Sequence, residues 1–503
     1  MLQIINVTLT HQNDLSKLTD KLSFTLSTGE KLGIIGEEGT GKSSLLQAIY
    51  QPNLISSYLD IEGQITNQFK KLAYLPQSLE KSVLNLSPSE FLYQDLDYDM
   101  FDFNHFYQLA NQLNFKTDHL ENDQLKMKDL SGGERLKLQL KKLLAHGPDL
   151  LLLDEPSADL DLTSLEWLAQ FIKTSPLTII FISHDQALLE ACATAILHLE
   201  LVKKRTVASY HFSKTNYSDY ITNRLAAFVK QSQLANKEKE EFDKKEARFK
   251  RVHESVQHQL EHTKDSTAGR LLAKKMKALK SQESRLAKDQ NQLTKAPLEM
   301  DSLNLFFTDI PRLAKQRTIL HLQDQVLISG QVISFLVKGQ DKVVIAGLNG
   351  IGKTKLLKYI LETLQADPTL SIGYMPQNYE ELLNPEQSPL EFLDDYPLED
   401  IKSILASLQF TREEIKHGFG QLSGGQRAKL FLAKMVLDKN NLLILDEPTR
   451  HFSPTSQPLV RQLFMDYPGA IISVSHDAYF INETGFSIFQ LTDNDLLAQA
   501  IDR

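Results

Sequence analysis

Apolar residues in this chain gather in short unbroken runs at its two ends and thin to a helical stripe in its middle. Lys31-Leu-Gly-Ile-Ile35, Leu150-Leu-Leu-Leu153 and Thr178-Ile-Ile-Phe-Ile182 are too short for amphipathic helices and are bounded by turn formers. That pattern predicts strands buried on both faces, as in a parallel sheet. Lys342-Val-Val-Ile-Ala346, Leu442-Leu-Ile-Leu445 and Ala470-Ile-Ile-Ser-Val474 repeat it. The opening Leu2-Gln-Ile-Ile-Asn-Val7 is also strand-like, and Ser44–Ile49 and Lys355–Ile360 read as helices. From about residue 220 to 300 proline and glycine nearly vanish and helix formers dominate. Phe242, Phe249, Val252, Val256 and Leu260 mark one stripe; Leu272, Met276, Leu279, Leu286 and Leu293 mark another. His262 to Gly269 breaks the pattern and Pro297 closes it. The expectation is two antiparallel helices with a short tip, the first about 40 residues and about 60 Å long. The predicted organisation is an α/β domain over residues 1–216, a helical hairpin over 217–299 and a second α/β domain over 300–503.

The two end regions carry the same chemistry in the same order. The first reads Gly36-Glu-Glu-Gly39-Thr-Gly41-Lys42-Ser43, then Gln77, Leu130-Ser131-Gly132-Gly133-Glu134, Asp154-Glu155 and His184. The second reads Gly347-Leu-Asn-Gly350-Ile-Gly352-Lys353-Thr354, then Gln377, Leu422-Ser423-Gly424-Gly425-Gln426, Asp446-Glu447 and His476. Ser131 and Ser423, Asp154 and Asp446, and His184 and His476 are each 292 positions apart, so three separate chemical elements stay in register.

Strand, glycine loop, helix is the context of a P-loop. Glycines let backbone N–H groups converge on phosphate oxygens, and the following helix adds its N-terminal dipole. Lys42 and Lys353 would reach the β- and γ-phosphates of ATP, and the Ser43 and Thr354 hydroxyls would ligate Mg²⁺. Asp154 and Asp446 suit the same Mg²⁺, and Glu155 and Glu447 can act as general bases on the attacking water. His184 and His476, each 29 positions after its glutamate, are placed to hydrogen-bond a γ-phosphate.

Composition narrows the alternatives. No apolar run approaches the ~18 residues that cross a membrane, and the single cysteine, Cys192, excludes internal disulfides and cysteine-rich metal sites. A reducing cytoplasm fits. The net charge is −9, yet residues 221–300 hold 18 Lys and Arg against 11 Asp and Glu. Arg270 to Lys280 is the most basic stretch, and its cations suit RNA phosphates.

Leu-Ser-Gly-Gly-Glu and Leu-Ser-Gly-Gly-Gln, with both P-loops, Gln77, Gln377 and both histidines, resemble a tandem ABC ATPase. The resemblance implies head-to-tail pairing, with Ser423 to Gly425 closing over ATP at the first P-loop and Ser131 to Gly133 over ATP at the second. It departs from the family in one loop: Asp161 stands after the first Asp-Glu, but Ser453 after the second. The adenine-stacking aromatic is not evident; His11, Phe306 and Phe307 are the candidates. A tandem ABC pair joined by a charged hairpin, preceded by Asn216-Tyr-Ser, resembles the ABC-F family of translation proteins. That implies a monomer binding the ribosomal E site, its hairpin reaching rRNA and P-site tRNA, in normal translation or in antibiotic resistance. The ATPase subunit of an importer with fused nucleotide-binding domains is the alternative; it needs no long charged hairpin. A DNA-repair or condensin-like ATPase would need zinc cysteines or a longer coiled coil, and intact Lys42, Glu155, Lys353 and Glu447 argue against dead sites.

Overall fold

The computed structural model describes residues 1–94, 125–158, 160–202, 206–262, 266–292, 305–307, 309–327 and 330–498. Two six-stranded sheets organise them. The first runs in the spatial order Leu72–Leu75, Leu150–Asp154, Thr178–Ile182, Lys31–Ile35, Ala195–Leu201, Val207–Ser213. The second runs Ile372–Met375, Leu442–Asp446, Ala470–Val474, Lys342–Ala346, Ser487–Leu491, Leu496–Ala498. In each, the first five strands are parallel and the last is antiparallel. All six apolar runs read from the sequence are strands of these sheets. Leu150–Asp154, Thr178–Ile182, Leu442–Asp446 and Ala470–Val474 are buried at every position, which is why they show no alternation.

Register decides where the chemistry goes. Ile34 pairs with Ile182, which pairs with Asp154; Ile345 pairs with Val474, which pairs with Asp446. The loops that follow these strands therefore leave one sheet edge together, the carboxyl edge where α/β folds bind ligands. Leu2–His11, within an antiparallel three-stranded sheet with Lys17–Leu26 and Leu59–Asn67, covers the first half. The helices Gly132–Leu144 and Gly424–Leu437 start at Ser131 and Ser423, whose hydroxyls accept the N–H of Glu134 and Gln426 while those side chains reach back, a capping box in each case.

The described residues divide into two compact units, residues 1–217 with 301–503, and residues 218–300. The second consists of the long helix Tyr217–His262, apart from its first residue, and the helix Ser266–Gln292. Phe249 and Val256 of one pack with Leu272, Met276 and Leu279 of the other. Two details differ from the sequence expectation. Val252 is 50% exposed and lies outside this seam. Ser266 to Gly269, expected in the tip, belongs to the second helix, because one glycine inside a run of good helix formers costs only ~1 kcal/mol. Residues 263–265, Leu293 and Pro297 lie outside the described residues, as do the side chains of Leu260 and Leu286.

Leu279→Asp would put a charge into the Val256, Leu272 and Leu279 cluster at a cost of several kcal/mol. Trypsin is expected to cleave residues 218–292 about tenfold faster in this variant, with residues 1–217 and 305–498 as resistant as before; equal cleavage rates would show that the seam does not hold the helices together.

Candidate functional site

Both glycine loops share a backbone that only glycine tolerates. Gly36 and Gly347 have φ of 147° and 155°, and a Cβ on them would come within 2.2 Å of the Leu199 carbonyl and 2.7 Å of the Leu491 carbonyl. Lys42 Nζ donates to the Gly36 and Glu37 carbonyls, each at 2.8 Å. Lys353 Nζ donates to the Gly347 and Leu348 carbonyls, also at 2.8 Å. Both ammoniums are buried, and loss of solvent pulls their pKa below the usual lysine value.

The acids on the neighbouring strand complete each loop. Ser43 Oγ donates to Asp154 Oδ1 at 3.0 Å, and the Tyr74 hydroxyl donates to Asp154 Oδ2 at 3.0 Å. Gln77 Nε2 donates to Glu155 Oε2 at 3.0 Å, and His184 Nε2 stands 3.4 Å from Glu155 Oε1. In the second half His476 Nε2 stands 3.0 Å from Glu447 Oε1, and the His476 N–H donates to Glu447 Oε2 at 3.1 Å. Both oxygens of Asp446 are buried, and burial raises its pKa against the Thr354 hydroxyl and Lys353. Glu155 and Glu447 sit at φ of 50° and 53°, left-handed conformations that a non-glycine residue adopts only at a cost. The motif gave no signal of this strain.

The two carboxylates differ electrostatically. Burial pushes Glu155 up, but its neighbours His184 and Lys42 outweigh that and leave its pKa below the ordinary glutamate value. Glu447 is pushed up to about 8, by burial first and then by Asp446, against the His476 amide and Lys353.

The halves meet head to tail. The Gly425 N–H donates to Glu38 Oε2 at 3.3 Å, and Lys429 Nζ lies 3.1 Å from Glu37 Oε1. The first glycine loop therefore faces Ser423 to Gly425, the arrangement the resemblance implies. Gln457 Nε2 donates to the His184 carbonyl at 2.8 Å. Gln186 Nε2 and the Tyr217 hydroxyl both donate to the Pro454 carbonyl, at 2.7 and 3.1 Å. Ser453 turns inward, its hydroxyl donating to Ser456 Oγ at 2.9 Å, so the adjacent Pro454 makes the cross-half contact. Asp161 instead caps the helix Leu162–Thr174 and raises the pKa of Lys353, although loss of solvent still dominates there. Its neighbour Asp159 lies outside the described residues. A cavity of about 880 Å³ takes in both sites: Asn349, Gly350 and Gly352 to Thr354 with Gln377, Asp446, Glu447 and His476 of the second half, and Glu38, Gln77, Glu155, Asp161 and His184 of the first. Ser131, Gly132 and Gly133 are not among its described lining residues.

Glu37, Glu38, Lys429, His451 and the Asp154 partner Tyr74 escaped the sequence reading. Two carboxylates inside an anion-binding loop were the available signal, but their partners lie almost 400 positions away. The adenine candidates fare poorly. Phe307 packs on Tyr467 at a ring separation of 4.8 Å, Phe306 is 73% exposed, and His11 faces Tyr58. The side chains set against the glycine loops are Leu18, beside Gly41, and Gln331, which donates to the Ile351 carbonyl at 3.0 Å.

A family profile described as ABC transporter matches residues 19–158 and 331–450. The ribosome protection protein VmlR of Bacillus subtilis (strain 168) is 30% identical over 95% of this chain and 84% of its own length. The Arabidopsis thaliana ABC transporter F family member 5 is 26% identical over 94% of this chain and 73% of its own. The B. subtilis protein YdiF is 29% identical over 74% of this chain, a match spanning 57% of that protein. Among solved structures, an archaeal ribosome recycling factor aABCE1 superposes with a TM-score of 0.60 at 15% identity, covering 98% of this chain and 90% of that one, a likeness of fold alone.

Asp185 gives a test of the interface electrostatics. Burial pushes its carboxyl up to about 6, helped by Asp477 of the other half and opposed by the Leu188 N–H it accepts. Because the folded protein holds this proton more tightly than the unfolded chain, stability is lost as pH rises through about 6. Asp185→Asn keeps an acceptor for Leu188 and is expected to stabilise the protein at about pH 8 by on the order of 1 kcal/mol, the gain fading toward about pH 4. Thermal melts across that range check this; a gain independent of pH would count against it.

Proposed function

The chain belongs to the ABC-F family of ABC proteins, and on that premise we propose that it is an ATP-hydrolysing factor that binds the ribosome and acts on translation. The contact between the first glycine loop and Gly425 carries the enzymatic part of the reading, since it completes an ATP sandwich within one chain. The ribosomal part is supported by the hairpin, where Lys274, Lys275, Lys277 and Lys280 are all exposed, and by the name of the relative VmlR. Among the described residues no helix is long and apolar enough to cross a membrane. We place the protein in the cytoplasm, as a monomer, with its hairpin directed at rRNA and P-site tRNA in the E site.

Residue roles follow from the geometry. Lys42 and Lys353 exchange their loop carbonyls for the β- and γ-phosphates of ATP. Glycine-loop amides take the remaining phosphate oxygens, joined across the halves by Ser423 to Gly425 at the first site and Ser131 to Gly133 at the second. Ser43 with Asp154, and Thr354 with Asp446, suit Mg²⁺: these are hard oxygen donors, and the Asp446 oxygens are buried at the site. When bound, the ion offsets phosphate charge. Glu155, oriented by Gln77 and His184, takes the proton of the attacking water at the first site; Glu447, held by His476, does so at the second. Its elevated pKa gives it a strong pull on that proton once it is ionised. Loss of the γ-phosphate removes an anion shared by the two halves and loosens their closure, releasing the ribosome.

Glu155→Gln with Glu447→Gln is expected to keep ATP binding and to lower hydrolysis by ~100-fold or more. That variant should pellet with ribosomes when ATP is present; pelleting in neither condition would move the assignment to the importer ATPase. Reversing charge at Lys274, Lys275, Lys277 and Lys280 should weaken ribosome binding by ~10-fold or more and flatten its salt dependence, and unchanged affinity at moderate salt would exclude the hairpin as the RNA contact.

A further inference from the structure

The two glycine loops are not equivalent. Setting Gly36 against Gly347 and Lys42 against Lys353 places Glu37 and Glu38 where the second loop has Leu348 and Asn349. An acid in a loop that gathers amides around phosphate works against that purpose, because like charges repel strongly where water is scarce. The structure shows what Glu38 does instead. Its Oε2 accepts the Gly425 N–H at 3.3 Å, and its Oε1 lies 3.7 Å from His451 Nδ1. A Cβ on Gly424 would stand 3.0 Å from the same Oε1, so the carboxylate rests against the opening turn of the helix Gly424–Leu437. The first amides of that helix attract an anion. Burial pushes the Glu38 carboxyl up, but His451, then His184 and the Gly425 amide, more than reverse this and hold it at about 2. The group is therefore an anion at any physiological pH. Next to it, Glu37 is paired with Lys429. No acid stands at the corresponding positions of the second loop, and Glu38 and Asn349 line the same cavity.

We propose that Glu38 competes with the γ-phosphate of ATP for the Gly425 seat, so that the first site discriminates against ATP relative to ADP while the second does not. This rests on reading both glycine loops as nucleotide sites. ADP at the first loop leaves the Glu38 contact undisturbed. ATP must expel the carboxylate from the amide and then tolerate it as a neighbour. The first site thus stays docked through Glu38 and His451 without a γ-phosphate, and ATP-driven closure falls to the second site.

The test uses the full chain with Lys353→Ala, to silence the second loop, and Glu155→Gln, to prevent turnover. Equilibrium dialysis with radiolabelled ATP and ADP gives two dissociation constants, before and after adding Glu38→Gln, which keeps an amide acceptor but loses the charge. The ATP-to-ADP ratio of dissociation constants is expected to fall ~10-fold or more, with the ADP constant moving less than about threefold. An unchanged ratio overturns the proposal and leaves the nucleotide site standing. Absence of binding of either nucleotide in both versions overturns both. Asn349→Glu, placed in the second site with Lys42→Ala and Glu447→Gln, guards against a Glu38 variant that does not fold. It should raise the ATP-to-ADP ratio there by a similar factor, and no rise would contradict the competition.

Discussion

Backbone hydrogen bonds between parallel strands place the glycine loops, the Asp-Glu pairs and the histidines of these sites. Ile34, Ile182 and Asp154 stand in one row across the first sheet, and Ile345, Val474 and Asp446 in one row across the second. The strands are buried on both faces and cannot slip by one residue without turning a packed side chain out of its place. The glycine loop, the Asp-Glu pair and the histidine are thus delivered to one edge with little freedom. Glu155 and Glu447 in left-handed backbone show how tightly that edge is determined, since the surrounding register must offset a strain of order 1–3 kcal/mol at each.

Within this repeated frame the halves diverge through charge. At the first loop Glu37 and Glu38 find Lys429, His451 and Gly425 across the interface, and the halves meet closely. At the second, an apolar Leu348 and a neutral Asn349 stand in their places, and the cavity of about 880 Å³ is lined from both sites. The glutamates that follow Asp154 and Asp446 diverge too. Glu155 is kept acidic by His184 and Lys42 against its burial, whereas Glu447 is dominated by burial and an adjacent acid. The loop carrying Ser453 couples the halves in another way. Its neighbour Pro454 takes hydrogen bonds from Gln186, two residues beyond His184, and from Tyr217, the first residue of the long helix. One carbonyl of the second half thus holds both the segment after His184 and the first residue of that helix.

Local chemistry explains what could be read from the chain. Runs such as Leu150 to Leu153 announce strands buried on both faces, and a glycine loop between strand and helix announces a phosphate cradle; neither requires knowledge of distant residues. The 292-residue repeat then makes a second domain of the same kind unavoidable, and the Leu-Ser-Gly-Gly motifs point to its head-to-tail partner. Helix seams were less legible: Val252 fits the stripe but is half exposed, because which apolar residues are covered depends on where the partner helix lies. The sequence by itself settled fold class and repeat and nominated the phosphate-side residues, all matters of short-range pattern. Only the tertiary structure decided which acid meets which amide. The Glu38 to Gly425 contact spans 387 positions, and a side chain that must reach across an interface leaves no periodic trace in the chain that carries it.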